Sequence, residues 1–385
     1  MPQPYAAGPA RPTRRAALVA GGLALAGLGA CSSDRAATPQ PAGSGVAAPT
    51  GSASGGVPSS VAGDVPGGAV TDVVTGLRAP WSVVWTGGAA LLGQRDDARI
   101  LQLADGRTRE VLTVPGVAHG GEGGLLGLAV QGAWLTVYYT GDDQANRVVR
   151  YRISRSGSQV RLSGRQVVLD GLPAAGIHNG GRIAFGPDRM LYVAVGDTSD
   201  QQAAQDRSSP AGKILRMTPV GGVPGDNPFA GSRVWSLGHR NVQGMAWAPD
   251  GTMFAAEFGA NTWDELNIIR RGANYGWPVH EGRAGDSRYV DPVQQWSTSE
   301  ASPSGIAITG GTIYVACLGG RRLRAVPVSA PGTGREYFVG RYGRLRDVAI
   351  APDGALWILT NNTDGRGAPN PGDDRILRVA PSALR

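Results

Sequence analysis

One pattern limits the folds open to this chain more than any other. A short apolar run, a turn built on glycine or Pro-Asp-Gly, and a second apolar run recur six times. The copies lie at Trp81–Gly93, Leu126–Tyr139, Ile183–Gly196, Met245–Glu257, Ile306–Leu318 and Val348–Thr360. The flanking runs are β-branched or aromatic and bounded by Gly, Asn or Asp, the chemistry of strands joined by tight hairpins. No stretch of helical period stands out between them. A repeat of roughly 40–60 residues leaves room for two more strands per unit, which is the signature of a radial array. The pattern predicts an all-β fold, a six-bladed β-propeller of four-stranded antiparallel sheets. A two-sheet sandwich would not need so long a period.

The ends read differently. Arg14 and Arg15 precede an apolar run, Ala16 to Ala30, too short to remain as a membrane span. Leu28-Gly29-Ala30-Cys31 then has the form of a lipoprotein processing site, with Cys31 as the lipidated first mature residue. The paired arginines point to export of a folded protein. Residues 32–68 are mainly Ala, Ser, Gly and Pro and cannot bury enough surface to order themselves. The expected organisation is an export signal over 1–31, a flexible tether over 32–68 and the propeller over 69–385. It implies a protein lipid-anchored on the outer face of the cytoplasmic membrane. Cys317, the other of two cysteines, sits in an apolar strand and reads as a buried thiol, so cysteine-bound metal is excluded. The net charge of +7 includes leader arginines, and the rest are scattered without a basic block. No nucleic-acid partner is expected.

Chemistry concentrates in a few loops. The segment Gly176 to Asp197, GIHNGGRIAFGPDRMLYVAVGD, sets His178 among small residues and ends an apolar strand on Asp197. Neutral imidazole beside a positioned carboxylate makes a base that works near neutral pH. Gly121-Glu122-Gly123-Gly124 displays one carboxylate on backbone that can approach a ligand closely. Gly238-His239-Arg240-Asn241, with Gln243, offers a fixed cation and two amides, suited to a carboxylated or carbonyl-rich ligand. Between Glu257 and Tyr275, Asp264, Glu265 and loop carbonyls are ligands for a hard cation such as calcium, although the spacing is not that of an EF-hand. In Gly343-Arg344-Leu345-Arg346-Asp347, strand alternation would point both arginines to one face, which suits either anion recognition in a cavity or a solvated surface pair.

In order, GEGGLLGL (121–128), HNGGRIAFGPD (178–188), YVAVGD (192–197), AGKILRM (211–217), GDNPF (225–229), WSLGHRNVQGMAW (235–247), DELNII (264–269), GANYGWP (272–278) and GRLRDV (343–348) resemble the soluble quinoprotein sugar dehydrogenases. Those are six-bladed propellers that use pyrroloquinoline quinone and calcium to oxidise aldoses. The resemblance spans about Gly76 to Val379. It implies His178 as general base, Asp197 as the group that orients it, and Arg240 as an electrophilic partner of the quinone. It further implies Glu122, Asn241, Arg344 and Arg346 as cofactor contacts. Carbonyls of Gly259 and Ala260 would hold the cofactor calcium, and Glu265 with the Tyr275 carbonyl a second, structural calcium. The partners implied are an aldose and an external electron acceptor, a quinone or cytochrome; monomer and homodimer both remain open.

Three departures from the family pattern stand out. Glu122 replaces a frequent glutamine, and Gly259-Ala260 replaces Gly-Pro. Gly319-Gly320-Arg321-Arg322 follows the strand where a cofactor lysine is usual, so either Arg321 substitutes or the contact is missing. Two other readings stay open: a recognition module that has lost its cofactor, and a calcium-dependent sugar lactonase.

Overall fold

Each of the six repeats is the inner hairpin of a four-stranded antiparallel sheet in the computed structural model, which describes residues 60–384. Blade 1 comprises Pro80–Thr86, Ala89–Gln94, Arg99–Ala104 and Arg107–Thr113. Blade 2 comprises Leu125–Gln131, Trp134–Thr140, Ala145–Ser156 and Gln159–Pro173. Blade 3 is Ile183–Phe185, Leu191–Val195, Lys213–Met217 and Val234–Leu237. Blade 4 is Asn241–Trp247, Met253–Phe258, Trp263–Ile269 and Gln294–Ser297. Blade 5 is Pro303–Thr309, Thr312–Cys317, Arg322–Pro327 and Gly334–Tyr337. Blade 6 takes Leu345–Ile350, Leu356–Thr360 and Ile376–Val379 from the end of the chain. Its outermost strand, Val70–Val74, comes from before blade 1 and pairs antiparallel with Ile376–Val379. That exchange closes the ring. The first strand of every blade packs on the first strand of the next, and blade 6 on blade 1.

The core lies between the blades. Six apolar clusters fill the six gaps. Tyr192, Ala194 and Ile214 of blade 3, for instance, meet Val242, Met245 and Ala255 of blade 4. Val83, Leu92 and Leu101 of blade 1 meet Leu359 and Ile376 of blade 6. Strands buried on both faces explain why the inner hairpins read as near-continuous apolar runs. The expected export signal, residues 1–31 with Cys31 at its end, lies outside the described residues. Ser60–Ala62, inside the stretch expected to be a tether, adds a parallel strand to the outer edge of blade 5, beside Gly334–Glu336.

In five blades the pairing of the inner strand with its neighbour slips near the strand's start. Such bulges re-aim side chains. Here they bring Gln243, Ser304 and Arg346 together: the Arg346 Nη1 donates to Gln243 Oε1 at 2.8 Å and to Ser304 Oγ at 3.4 Å. The Arg346 guanidinium also lies 5.9 Å from the Trp81 ring. Neighbouring inner strands approach so closely that a Cβ on Gly305 would fall 1.7 Å from Asp347 Oδ1. Only glycine fits there.

Candidate active site

In an antiparallel blade, the start of the first strand and the end of the second share one end of the molecule. Glu122, His178, Arg240, Ser302 and Arg344 each sit just before a first strand, while Asp197, Gly259 and Leu318 sit just after a second. Topology therefore gathers residues far apart in sequence at one mouth. A cavity of about 330 Å³ there is lined by Glu122, His178, Arg240, Asp264, Arg344 and Arg366, with the Gly259-Ala260 backbone.

His178 stands at its centre, largely buried. Its Nδ1 lies 2.7 Å from Asp197 Oδ1 and its Nε2 lies 2.7 Å from Arg240 Nη2. A guanidinium only donates, so Nε2 accepts and the ring proton resides on Nδ1, donated to Asp197. The basic lone pair is thus on Nε2. Asp197 is fully buried and also accepts from Ser199 N–H at 3.0 Å and Trp277 Nε1 at 2.8 Å. Burial alone would raise the Asp197 carboxyl. The His178, Ser199 and Trp277 hydrogen bonds outweigh burial and hold it below its usual range. Beneath the pair, a Cβ on Gly196 would fall 1.8 Å from the His178 carbonyl oxygen, so glycine is what lets the histidine loop rest on the strand end.

Arg240 also donates from Nη1 to the Phe258 carbonyl at 3.2 Å and to the Gly259 carbonyl, and lies over the Trp277 ring. Asn241 is buried and accepts the Gly180 N–H at 3.1 Å. Arg344 and Arg346 both approach Asp364 Oδ2, at 3.2 and 3.9 Å, but not through strand alternation, since Arg344 precedes the strand and Arg346 is the residue at its bulge. Burial lowers the Arg346 guanidinium to about 9, with Arg95 adding repulsion. Among the described residues, four buried donors on these side chains have no protein partner: the Nε atoms of Arg240 and Arg344, residues that line the cavity, and the Nε of Arg346 and Nδ2 of Asn241, residues that do not.

The Gly259-Ala260 loop is pinned from two sides. Asp264 Oδ1 accepts the Gly259 N–H at 2.9 Å and its Oδ2 the Ser302 N–H at 2.6 Å. Glu281 Oε1 accepts four successive backbone N–H groups, from Ala260 at 2.5 Å, Asn261 at 3.0 Å, Thr262 at 3.1 Å and Trp263 at 3.2 Å. Glu265 and Tyr275 do not line the cavity. Glu265 pairs across the sheet with Glu257 and accepts from the Gly282 N–H at 2.7 Å and Asn267 Nδ2 at 2.9 Å. Glu257 faces His239 Nδ1 at 3.0 Å, and the His239 ring stacks on Tyr275. Burial pushes both carboxyls well up.

Glu122 is not left as a bare charge. Its Oε2 accepts the His178 N–H at 2.9 Å and its Oε1 the Arg366 guanidinium at 2.8 Å. Burial would raise this carboxyl, but Arg366 and the His178 N–H hold it down. Arg321, the candidate substitute for the missing cation, lies exposed on the turn after Leu318. Arg366, from a loop of the next blade, faces the cavity in its place. Sequence reasoning passed over Arg366, Asp364 and Glu281, which lie in loops without periodicity. Trp277 lies within GANYGWP, where no local pattern assigns its indole a partner. Lys213 is buried far from any ligand role, donating to the carbonyls of Ala203, Ala204 and Ala211.

A six-bladed propeller with an imidazole–carboxylate pair and clustered arginines at one mouth defines a class: an enzyme that holds a large anionic ligand beside a base. Comparison with known proteins narrows it. The model of the glucose/sorbosone dehydrogenase family matches residues 77–377, and the chain belongs to that family. The PQQ-bound form of an aldose sugar dehydrogenase from Streptomyces coelicolor is 47% identical, with a TM-score of 0.78 over 84% of this chain and 99% of that one. An aldose sugar dehydrogenase of Escherichia coli K12 is 29% identical over 78% of this chain and 90% of its own length. Quinoprotein glucose dehydrogenase B of Acinetobacter calcoaceticus is 29% identical over 62% of this chain and 59% of its own.

Proposed function

We propose that this protein is a quinoprotein aldose dehydrogenase, oxidising the anomeric carbon of a sugar to a lactone outside the cytoplasm. The observation that carries the reading is the His178 ring, held between Asp197 and Arg240 with its basic Nε2 on the cavity. Pyrroloquinoline quinone fits the floor of that cavity by chemistry. The partnerless donors of Arg240 and Arg344 call for an oxygen-rich anion, and a planar quinone bearing three carboxylates is one. Calcium fits as well, because the Phe258 and Gly259 carbonyls already converge on a positive charge, the Arg240 guanidinium. Among the described residues, no group of three or more His, Cys, Asp or Glu side chains is placed to hold a metal. Calcium here would lean on the Gly259 and Ala260 carbonyls, and Glu265 with the Tyr275 carbonyl would hold a second ion.

The bound quinone would supply a two-electron acceptor for the hydride leaving the anomeric carbon. The protein does the rest. His178 Nε2 exchanges its contact with Arg240 for the anomeric hydroxyl and takes that proton. Asp197 keeps Nδ1–H in place and stabilises the imidazolium that forms. Arg240, released from the imidazole, is free to stabilise negative charge developing beside it. Asn241, Arg344 and Arg346 hold the polar rim and carboxylates of the cofactor. Export, lipidation at Cys31 and delivery of electrons to a membrane quinone or cytochrome complete the proposal.

The test is reduction of an artificial acceptor by the protein from residue 60 onward, with calcium and a panel of aldoses, with and without added quinone. Turnover that requires both quinone and sugar supports the reading. Neither turnover nor quinone-induced thermal stabilisation would leave a recognition module instead.

A further inference from the structure

Arg366 lies in the loop between Thr360 and Ile376 of blade 6, yet its guanidinium reaches Glu122 at the entry to blade 2, 2.8 Å away. It lines the cavity that holds His178 and Arg240, and also the narrow space beneath, with Trp81, Gln243 and Arg346. The two partners are not held alike. Glu122 is largely buried and fixed a second time by the His178 N–H, whereas the Arg366 side chain is 49% exposed. Solvent screens the exposed end of such a pair, and a long exposed side chain gains rotamer freedom when it leaves. The guanidinium is therefore the movable half, and a better anion can take it without disturbing the histidine loop.

We propose that Arg366 is a cofactor-binding residue, exchanging Glu122 for a carboxylate of the bound quinone, with Glu122 acting as the competitor that restrains it. The proposal rests on the quinone-dependent reading above. It accounts for a carboxylate beside an anionic ligand: Glu122 anchors His178 through one oxygen and parks a mobile cation through the other. Gln keeps the acceptor for the His178 N–H but loses the charge that competes for Arg366. Removing the cation and removing its competitor must therefore act in opposite directions.

The experiment is a titration of apoprotein with pyrroloquinoline quinone at saturating calcium, followed by tryptophan fluorescence, for wild type and three variants. Arg366→Gln is expected to weaken binding about tenfold or more, as loss of a charged hydrogen bond does. Arg366→Lys, which keeps a charge but not the fork, should recover part of that. Glu122→Gln is expected to tighten binding several-fold. Melting curves of the unliganded variants establish that each is folded. Binding by Arg366→Gln equal to wild type, or weaker binding by both Arg366→Gln and Glu122→Gln, overturns the proposal. Failure of the wild type to bind overturns the underlying reading, and the proposal with it.

Discussion

His178 adopts left-handed backbone, φ 57°, an arrangement that costs a non-glycine residue about 1–3 kcal/mol and that its surroundings enforce. Its N–H is held by Glu122, its ring by Asp197 and Arg240, and its carbonyl rests over Gly196. Asp197 makes this arrangement pH-sensitive. Its folded pKa lies below its unfolded value, so the native state binds fewer protons. The stabilisation is present above the ordinary carboxylate range and is lost as pH falls through the folded value. Asp197→Asn should therefore melt below wild type at pH 7, by about 1–3 kcal/mol in stability. The gap should narrow below about pH 4, where the unfolded carboxylate protonates. A gap of the same size at pH 7 and pH 3 would show that the charge is not what stabilises. The His178–Asp197 pair was legible because one hairpin, Ile183 to Val195, links its two halves. Trp277 was not, since nothing in sequence ties an indole N–H to a carboxylate on another blade.

The Gly259–Trp263 turn shows how an element can be rigid without the residue expected to stiffen it. The sequence has Ala260 where proline would fix the backbone. Glu281, 18 to 21 residues downstream, collects the four N–H groups of Ala260 to Trp263 on a single oxygen. The loop's own donors are thereby satisfied from one side, leaving the Gly259 carbonyl facing the cavity. Glu281→Ala should expose those four amides, and hydrogen exchange should speed up there by about tenfold or more while blade strands keep their protection. Unchanged exchange at Ala260 to Trp263 would mean the turn is ordered by other contacts. No local pattern marks Glu281, because its partners are backbone groups on a different strand connection. The twin arginines of GRLRDV share a side although Arg344 precedes the strand and Arg346 sits at its bulge, and Asp364, which they share, lies in a loop of Asn, Gly and Pro.

At the scale of the molecule, six inner hairpins were visible because strands buried between neighbouring blades must be apolar along most of their length. Outer strands carry a weaker signal: Arg107–Thr113 is largely exposed, and the five-residue closing strand Val70–Val74 half so. The ring that Val70–Val74 completes brings the mouth residues of blades 2 to 6 to one cavity, so the site exists only in the closed propeller. The general-base assignment depends on that convergence, and one comparison tests it most directly. Wild type and His178→Ala, each loaded with quinone and calcium, are assayed side by side for aldose oxidation and for quinone affinity. Turnover should fall by about 10²–10⁴, the range for loss of a positioned base, with quinone affinity nearly unchanged. Turnover within a few-fold of wild type would contradict the account and place the proton acceptor elsewhere.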